Sequence, residues 1–383
     1  MRLLVLTNLY PPQNLGGFGL CIQRLSAGLE RLGYQPTVLT SDQPYLGHTG
    51  QDPGVLRLLE LLGSYEGGVS RLGDAAQEEQ RRLTNGRTLA KVVEWHRPQA
   101  CLVGNLDLLG QDLLEQLLQL GIPTIQHVGF MGAPMPLNQY PSHGPYAMAF
   151  ASAEVRRLML SQGFPVAGQP VVHPPLAADA LPAPAEADQG GGVLRIGYSG
   201  LLMQSKGVHV LLEACARLQA WGTPFRLQLA GKAFSTDYDH ALRAFAATNN
   251  LDAHVQWHGF LDGAQLNGFY QQLDVLVFPS LHPESFGMVV AEAMACGVVP
   301  ISTGVGGAFE VITHGLDGLL CPAGDSAALA EALRWCQENR ERCWAMAQRG
   351  RQSARLRFTP ARSAAVLDQT FRGLGAGQDM AVF

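Results

Sequence analysis

Short unbroken apolar runs alternate with helical stretches along most of this chain, and the alternation breaks once and then resumes. Leu3, Leu4, Val5 and Leu6 form the first run. Such continuous apolar runs suit parallel strands covered on both faces. A loop carrying Pro11, Pro12, Gly16, Gly17 and Gly19 follows. Residues 20–32 then recur at helical spacing and stop at Gly33, and Val38-Leu39 opens the next strand. This order predicts a βαβ unit. Residues 100–103 and 124–126 predict further strands, with helices over 83–95 and 111–119; residues 44–80 read as loop and helix without finer detail. Val171-Val172 predicts a short strand ending at His173-Pro174-Pro175.

The break falls at residues 182–192, PAPAEADQGGG, which have the composition of a linker. Strands are then expected at 194–198, 225–229, 255–258, 275–278 and 299–302. Helices are expected at 208–218, 239–248, 265–273 and about 287–296, the last stopped by Gly297. Asp317-Gly318 reads as a turn, and Asp325 or Ser326 as the cap of a helix beginning at Ala327. Two open α/β sheets in tandem result, with no sequence repeat between the halves.

Composition narrows the function. At 383 residues the chain is too long for one ordinary core. Hydrophobic residues at 47% against 15% charged suit a folded enzyme rather than a disordered chain, and a net charge of -5 argues against nucleic acid as a partner. No apolar run approaches the ~20 residues that span a bilayer. MRLLVLTNLYPP reads as a first buried strand rather than a signal peptide, because no small-residue cleavage site follows. The seven cysteines are scattered without a C-x-x-C pair, so neither a disulfide framework nor a zinc site is expected, and a cytoplasmic setting is.

The segment richest in chemistry is FPSLHPESFGMVVAE, from Phe278 to Glu292. It reads as the end of a buried strand, a polar loop, and a helix opening at Ser285-Phe286-Gly287. Ligands of open α/β sheets bind beyond the carboxyl ends of strands, and free N–H groups at a helix start suit phosphates or sugar hydroxyls. Glu284 precedes the helix. Glu292 stands in an otherwise apolar stretch of it, where a carboxylate is rarely buried without partners. The plain alternative is a capping Glu and a surface Glu.

Here the chain resembles the family 4 glycosyltransferases of GT-B fold. The E-x7-E spacing from Glu284 to Glu292 and its setting, PSLHPESFGMVVAEAMACGVVPISTGVGGAFEVITHGLDGLLCP, carry the likeness. It extends to Gly200 through Lys206-Gly207, to ASAEVRRLMLSQGFPVAGQPVVHPP, and more loosely to Gly16-Gly17. The resemblance implies an α/β protein of two facing Rossmann-like domains with a cleft between them. An acceptor-side domain would span 1–181, a linker 182–192, and a nucleotide-sugar-binding domain 193–355. The segment 356–383 would return a helix, residues 361–374, to the first domain, packing Val366, Leu367 and Phe371 there. By the same likeness, Glu284 and the backbone at Ser285, Phe286 and Gly287 hold the donor sugar, and Glu292 holds the ribose hydroxyls.

Lys206 lies in the loop SGLLMQSKG after the strand 194–198, where a cation suits a leaving diphosphate, although a solvated loop lysine is the plain alternative. The family usually pairs this Lys with an Arg directly after the glycine; here that position is Leu201, and Lys232 is the nearest substitute by topology. Gly16 and Gly17 let backbone approach donor phosphate or acceptor, or simply make a tight turn. His127, at the carboxyl end of the strand 124–126, is either structural or, by likeness, near the reacting sugar. Asp237-Tyr238-Asp239 is a D-x-D in the wrong context for a metal-bound nucleotide, and no metal ligand set emerges from the histidines.

The expected activity is metal-independent transfer of a sugar from a nucleotide-diphosphate donor, with retention at the anomeric carbon and no cofactor beyond that donor substrate. The acceptor is left open among small molecules, lipid-linked species and glycans, and membrane association is not indicated. A non-catalytic nucleotide-sugar-binding protein is the rival, resting on Leu201. A nicotinamide-dependent oxidoreductase is disfavoured by the poor glycine fingerprint.

Overall fold

The computed structural model describes residues 1–47, 52–66, 68–142, 144–177 and 192–376. The expected linker lies outside these residues except for Gly192. The chain forms two compact units, Met1–Pro175 with Pro360–Phe383, and Leu176–Thr359.

In the first unit the order is β1 (Arg2–Leu6), α1 (Gly17–Arg31), β2 (Gln35–Ser41), β3 (Val55–Leu59), the short strands β4 (Gly63–Ser64) and β5 (Ser70–Arg71), α2 (Ala75–His96), β6 (Ala100–Val103), α3 (Asp112–Gln119), β7 (Thr124–Val128), β8 (Tyr146–Phe150) and α4 (Ala153–Ser161). All six strands of its main sheet are parallel, in the order β3-β2-β1-β6-β7-β8, and β4 pairs with β5 antiparallel. β6 is buried along its length and β1 from Leu3 to Leu6, as their unbroken apolar runs require, and β7 is buried along its length although it carries Thr124, Gln126 and His127. The α1 helix opens at Gly17, one turn before the apolar periodicity begins. Helix α2 is capped by the Asp74 carboxylate, which accepts from Ala76 N at 2.9 Å. It buries only Asn85, Leu89 and Val92. Asn85 Oδ1 accepts from Glu60 N and its Nδ2 donates to Glu60 O, both at 2.8 Å. Val171-Val172 is not a strand: only Val171 bridges, to Phe150. The flanking Pro170, Pro174 and Pro175 have no N–H to extend a ladder.

The second unit runs β9 (Leu194–Ser199), α5 (Val208–Ala220), β10 (Phe225–Ala230), α6 (Thr236–Thr248), β11 (Val255–Gly259), α7 (Gly263–Gln271), β12 (Val275–Phe278), α8 (Met288–Ala295), β13 (Val299–Ser302), β14 (Leu319–Leu320), α9 (Ser326–Glu338) and α10 (Arg340–Arg357). Its sheet is also parallel, in the order β11-β10-β9-β12-β13-β14. Its core joins Ile196, Tyr198, Leu211, Leu227 and Val277 to Leu329 and Leu333 of α9.

The last helix, α11 (Pro360–Gly373), belongs to the first unit and packs on α1. Gly28 of α1 leaves room for the Pro360 backbone and the Ala364 methyl. Leu367 and Phe371 are fully buried, and Val366 is half-buried. The Tyr34 ring lies 6.1 Å from that of Phe371, and Tyr34 Oη donates to Asp368 Oδ1 at 2.8 Å. Removing a fully buried aromatic ring costs about 3–5 kcal/mol. Phe371→Ala is therefore expected to lower the stability of the first unit by that amount, read from the shift of its urea transition; a shift below about 1 kcal/mol would show that α11 is dispensable to that core.

Both sheets reverse strand order at the centre, between β1 and β6 and between β9 and β12. The loops after those strands flank the switch points where open α/β sheets bind ligands.

Candidate active site

In the second unit, Lys206 and Glu284 arrive from the two loops that flank the switch point. Lys206 ends a single 3-10 turn, Gln204–Lys206, after β9. Gly207 follows at φ 69, and a Cβ there would overlap the Pro279 carbonyl oxygen, so only glycine lets the two loops close on each other. Leu281 N donates to Ser205 O at 2.8 Å, joining the same loops. The contact of Lys206 Nζ with Glu284 Oε1 is 2.6 Å, with the side chains 25% and 17% exposed. Ser280 Oγ also donates to Glu284 Oε1, at 2.6 Å, and Thr303 Oγ1 holds Ser280 O at 2.6 Å. The ammonium lies 5.9 Å from the centre of the Phe278 ring. Glu284 is held by its backbone as well: its N donates to Val305 O at 3.1 Å and its O accepts from Gly307 N at 2.6 Å. A fixed carboxylate and a fixed cation thus share one partly exposed spot beyond the sheet's carboxyl edge.

The helix beyond this loop begins at Met288 rather than at Ser285, because Gly287 takes a left-handed φ of 88 as its N-cap. Backbone N–H groups of Ser285 and Gly287 donate to nothing among the described residues. They are therefore free to meet a ligand oxygen. Phe286 is different: its side chain is 1% exposed and meets the Phe358 ring edge-on at 5.1 Å, so it anchors the loop in the core. Glu292 is half-buried one turn into α8. Burial pushes the nearby Cys296 thiol up to about 12, and the Glu292 charge adds to the rise while Arg355 and Arg351 oppose it.

Leu201 is 46% exposed, and only its backbone is engaged, its O accepting from Tyr198 Oη at 2.7 Å. Lys232 is exposed, with its carbonyl accepting from Leu202 N at 3.0 Å. The D-x-D acids sit in the first turn of α6, where Asp239 pairs with Arg243 at 2.9 Å; this is an ordinary helix-end arrangement. No group of three or more His, Cys, Asp or Glu among the described residues could hold a metal ion, and no helix there is long and apolar enough to cross a membrane.

Gly16, Gly17 and His127 belong to the first unit. Gly16 is the N-cap of α1 at φ 66, a conformation that suits glycine. His127 is fully buried, so its imidazole lines no surface. Its Nε2 lies 2.9 Å from Val172 O, its Nδ1 has no partner among the described residues, and Phe18 lies over it with ring centres 5.9 Å apart. Burial pulls its pKa down to about 4, and His173 adds to this, against the Val172 carbonyl. The unfolded imidazole, near 6.5, therefore takes up its proton before the folded one does. The stability linked to this group is full above about pH 6.5 and is lost as pH falls toward 4. Urea unfolding between pH 7 and 4 should show that decline, and His127→Gln should remove its part of the slope; an unchanged slope would place the titration elsewhere.

Of the expected donor residues, Lys206 and Glu284 touch, and Glu292 stands on the adjoining helix. Sequence reasoning missed Ser280, whose hydroxyl fixes the Glu284 carboxylate. A serine two residues past a buried strand's carboxyl end, after Pro279, is the one signal that could have found it.

Residues 188–353 match the family model described as Glycosyl transferases group 1. Among solved structures, Anabaena HepE in complex with UDP and glucose aligns with a TM-score of 0.73 over 97% of this chain and 100% of that one, at 20% identity. Sucrose-phosphate synthase from Thermosynechococcus elongatus aligns at 0.76 over 98% and 100%, at 18% identity. These likenesses show the fold, which is GT-B, built of two Rossmann-like units. A particular relative in sequence is the D-inositol 3-phosphate glycosyltransferase of Arthrobacter sp. (strain FB24), 32% identical over 145 residues, 37% of this chain and 34% of its own length. The chain thus spans about a third of the length of that curated relative.

Proposed function

We propose that this chain is a glycosyltransferase that binds a nucleotide-diphosphate sugar on its second unit and transfers the sugar to an acceptor with retention of anomeric configuration. The observation that carries the reading is the 2.6 Å pairing of Lys206 with Glu284 at the β9/β12 switch point, beside free N–H groups at Ser285 and Gly287. A cation and oriented N–H groups are what a departing diphosphate requires. In this reading they carry the charge without a metal. Glu284 and the loop backbone hold the donor sugar, and Glu292 holds the ribose. Gly16 and Gly17, at the start of α1, keep backbone of the first unit open to an oxygen ligand, whereas His127 is fully buried, lines no surface and takes no part in this reading. The HepE structure contains UDP and glucose, which makes UDP the first nucleotide to try. Retention rests on the resemblance of the E-x7-E segment.

Calorimetry with UDP, GDP and ADP tests donor binding, and release of nucleotide from the matching sugar donor tests turnover. The anomeric proton coupling of the product reports retention or inversion. One observation favours a second reading: Leu201 offers no charge where the family pattern has an arginine. A folded chain that binds nucleotide tightly but turns over no donor, alone or with acceptors, is the outcome that would establish a non-catalytic nucleotide-sugar-binding protein instead.

A further inference from the structure

At the amino edge of the first unit's sheet, an open cleft of roughly 600 Å³ is lined by Arg2 at the start of β1 and by Lys91, Glu94, Trp95, His96 and Arg97 at the end of α2. Arg2, Lys91 and Arg97 are exposed, and none of these three cations meets a carboxylate among the described residues. Glu94 is the one acid of the lining and is likewise unpaired there. Burial lowers the His96 pKa, against the Leu3 carbonyl, and Arg2 adds to the fall, so the imidazole is neutral at pH 7 and the cleft carries two net positive charges. Arg2 is set in place: its Nε donates to Arg97 O at 2.8 Å, which leaves both Nη groups without a partner among the described residues. Arg97 takes φ 48 as the C-cap of α2, a left-handed conformation that suits glycine and strains a residue with a Cβ. Trp95 leaves its indole 69% exposed. The negative end of a helix dipole favours cations, but it asks neither for an arginine in a glycine's conformation nor for an indole left in water. A ligand with both charge and a flat ring accounts for the two together. Phosphate oxygens match an arginine fork, and a planar base stacks on an indole face.

We propose that this cleft is a second anion site, apart from Lys206 and Glu284, and that it takes a soluble nucleotide, with the phosphate dianion on Arg2, Lys91 and Arg97 and the base on Trp95. The charge of a phosphate monoester balances that of the lining. The site stands whether or not the second unit transfers a sugar, because its residues all lie in the first unit.

The test uses the full chain and calorimetry with AMP and inorganic phosphate. AMP should bind, and more tightly than inorganic phosphate. Arg97→Gly should weaken AMP by about tenfold or more, as loss of a hydrogen bond from a charged group does. Its melting temperature should nevertheless hold or rise, because glycine takes the left-handed C-cap at no steric cost. Trp95→Leu should erase the advantage of AMP over inorganic phosphate, and Glu292→Ala should leave AMP affinity unchanged. Absence of AMP binding, an AMP affinity that falls in Glu292→Ala and not in Arg97→Gly, or equal binding of AMP and inorganic phosphate by the unmodified chain would each overturn the assignment. So would binding confined to phosphatidylcholine vesicles that carry phosphatidic acid, which would make the cleft a membrane contact. If Arg97→Gly fails to fold, Lys91→Ala on the exposed side of α2 should show the same loss of AMP affinity, and an unchanged affinity there would overturn the site.

Discussion

Lys206→Ala is expected to lower donor turnover by about 10²–10³, the loss that follows removal of one preorganised charge-stabilising donor. The structure adds a condition to that figure. In the resting site the ammonium is held by Glu284 Oε1 at 2.6 Å, so a diphosphate must compete with the carboxylate for it. Lys206→Ala leaves Glu284 with the Ser280 hydroxyl as its side-chain partner. Glu284→Ala does the reverse: it releases the ammonium, so UDP affinity should hold or rise while turnover falls. This opposite behaviour of the two variants separates a catalytic pairing from a merely structural ion pair, whose loss on either side would weaken folding alike. Leu201→Arg should tighten UDP binding, because a planar fork matches phosphate oxygens. Near-normal turnover in a folded Lys206→Ala protein would assign the leaving-group charge to another residue, with Lys232 the first to substitute.

Glu292→Ala should raise the UDP dissociation constant by about 10- to 150-fold, the equivalent of roughly 1.5–3 kcal/mol for a hydrogen bond to a charged group. Alanine is the strongest helix former, so α8 should keep its shape. The ribose assignment is isolated by a second nucleotide. If the carboxylate holds the ribose, 2′-deoxy-UDP should bind the unmodified chain less tightly than UDP does, and the two nucleotides should bind Glu292→Ala nearly alike. Equal affinities for the unmodified chain and the variant would place Glu292 outside the nucleotide site.

How much of this was legible beforehand depended on which physical signal each element carries. The parallel strands were readable because burial on both faces demands unbroken apolar runs such as residues 3–6 and 275–278. The last helix was readable for the opposite reason, its apolar stripe at Ala364, Leu367 and Phe371 being spaced for one face. Helix α10 escaped notice because it buries small or flexible residues, Cys343, Met346, Ala347, Gly350 and Ala354, among many arginines. The region 44–80 was opaque because its strands are short and half-exposed, and because the helix that follows is held partly by a buried asparagine.

The sequence alone determined the class of fold, the two-sheet rhythm, and the candidates Lys206, Glu284 and Glu292, because strand ends and helix starts are local features that spacing reveals. Only the tertiary structure decided that Lys206 and Glu284, 78 positions apart, share one ion pair, that Ser280 secures it, and that His127 is sealed beneath Phe18. The reason is physical. Contacts between loops depend on which strands lie side by side, and the reversal that puts β9 beside β12 is a property of the whole sheet, set by how its helices pack and not by any one segment.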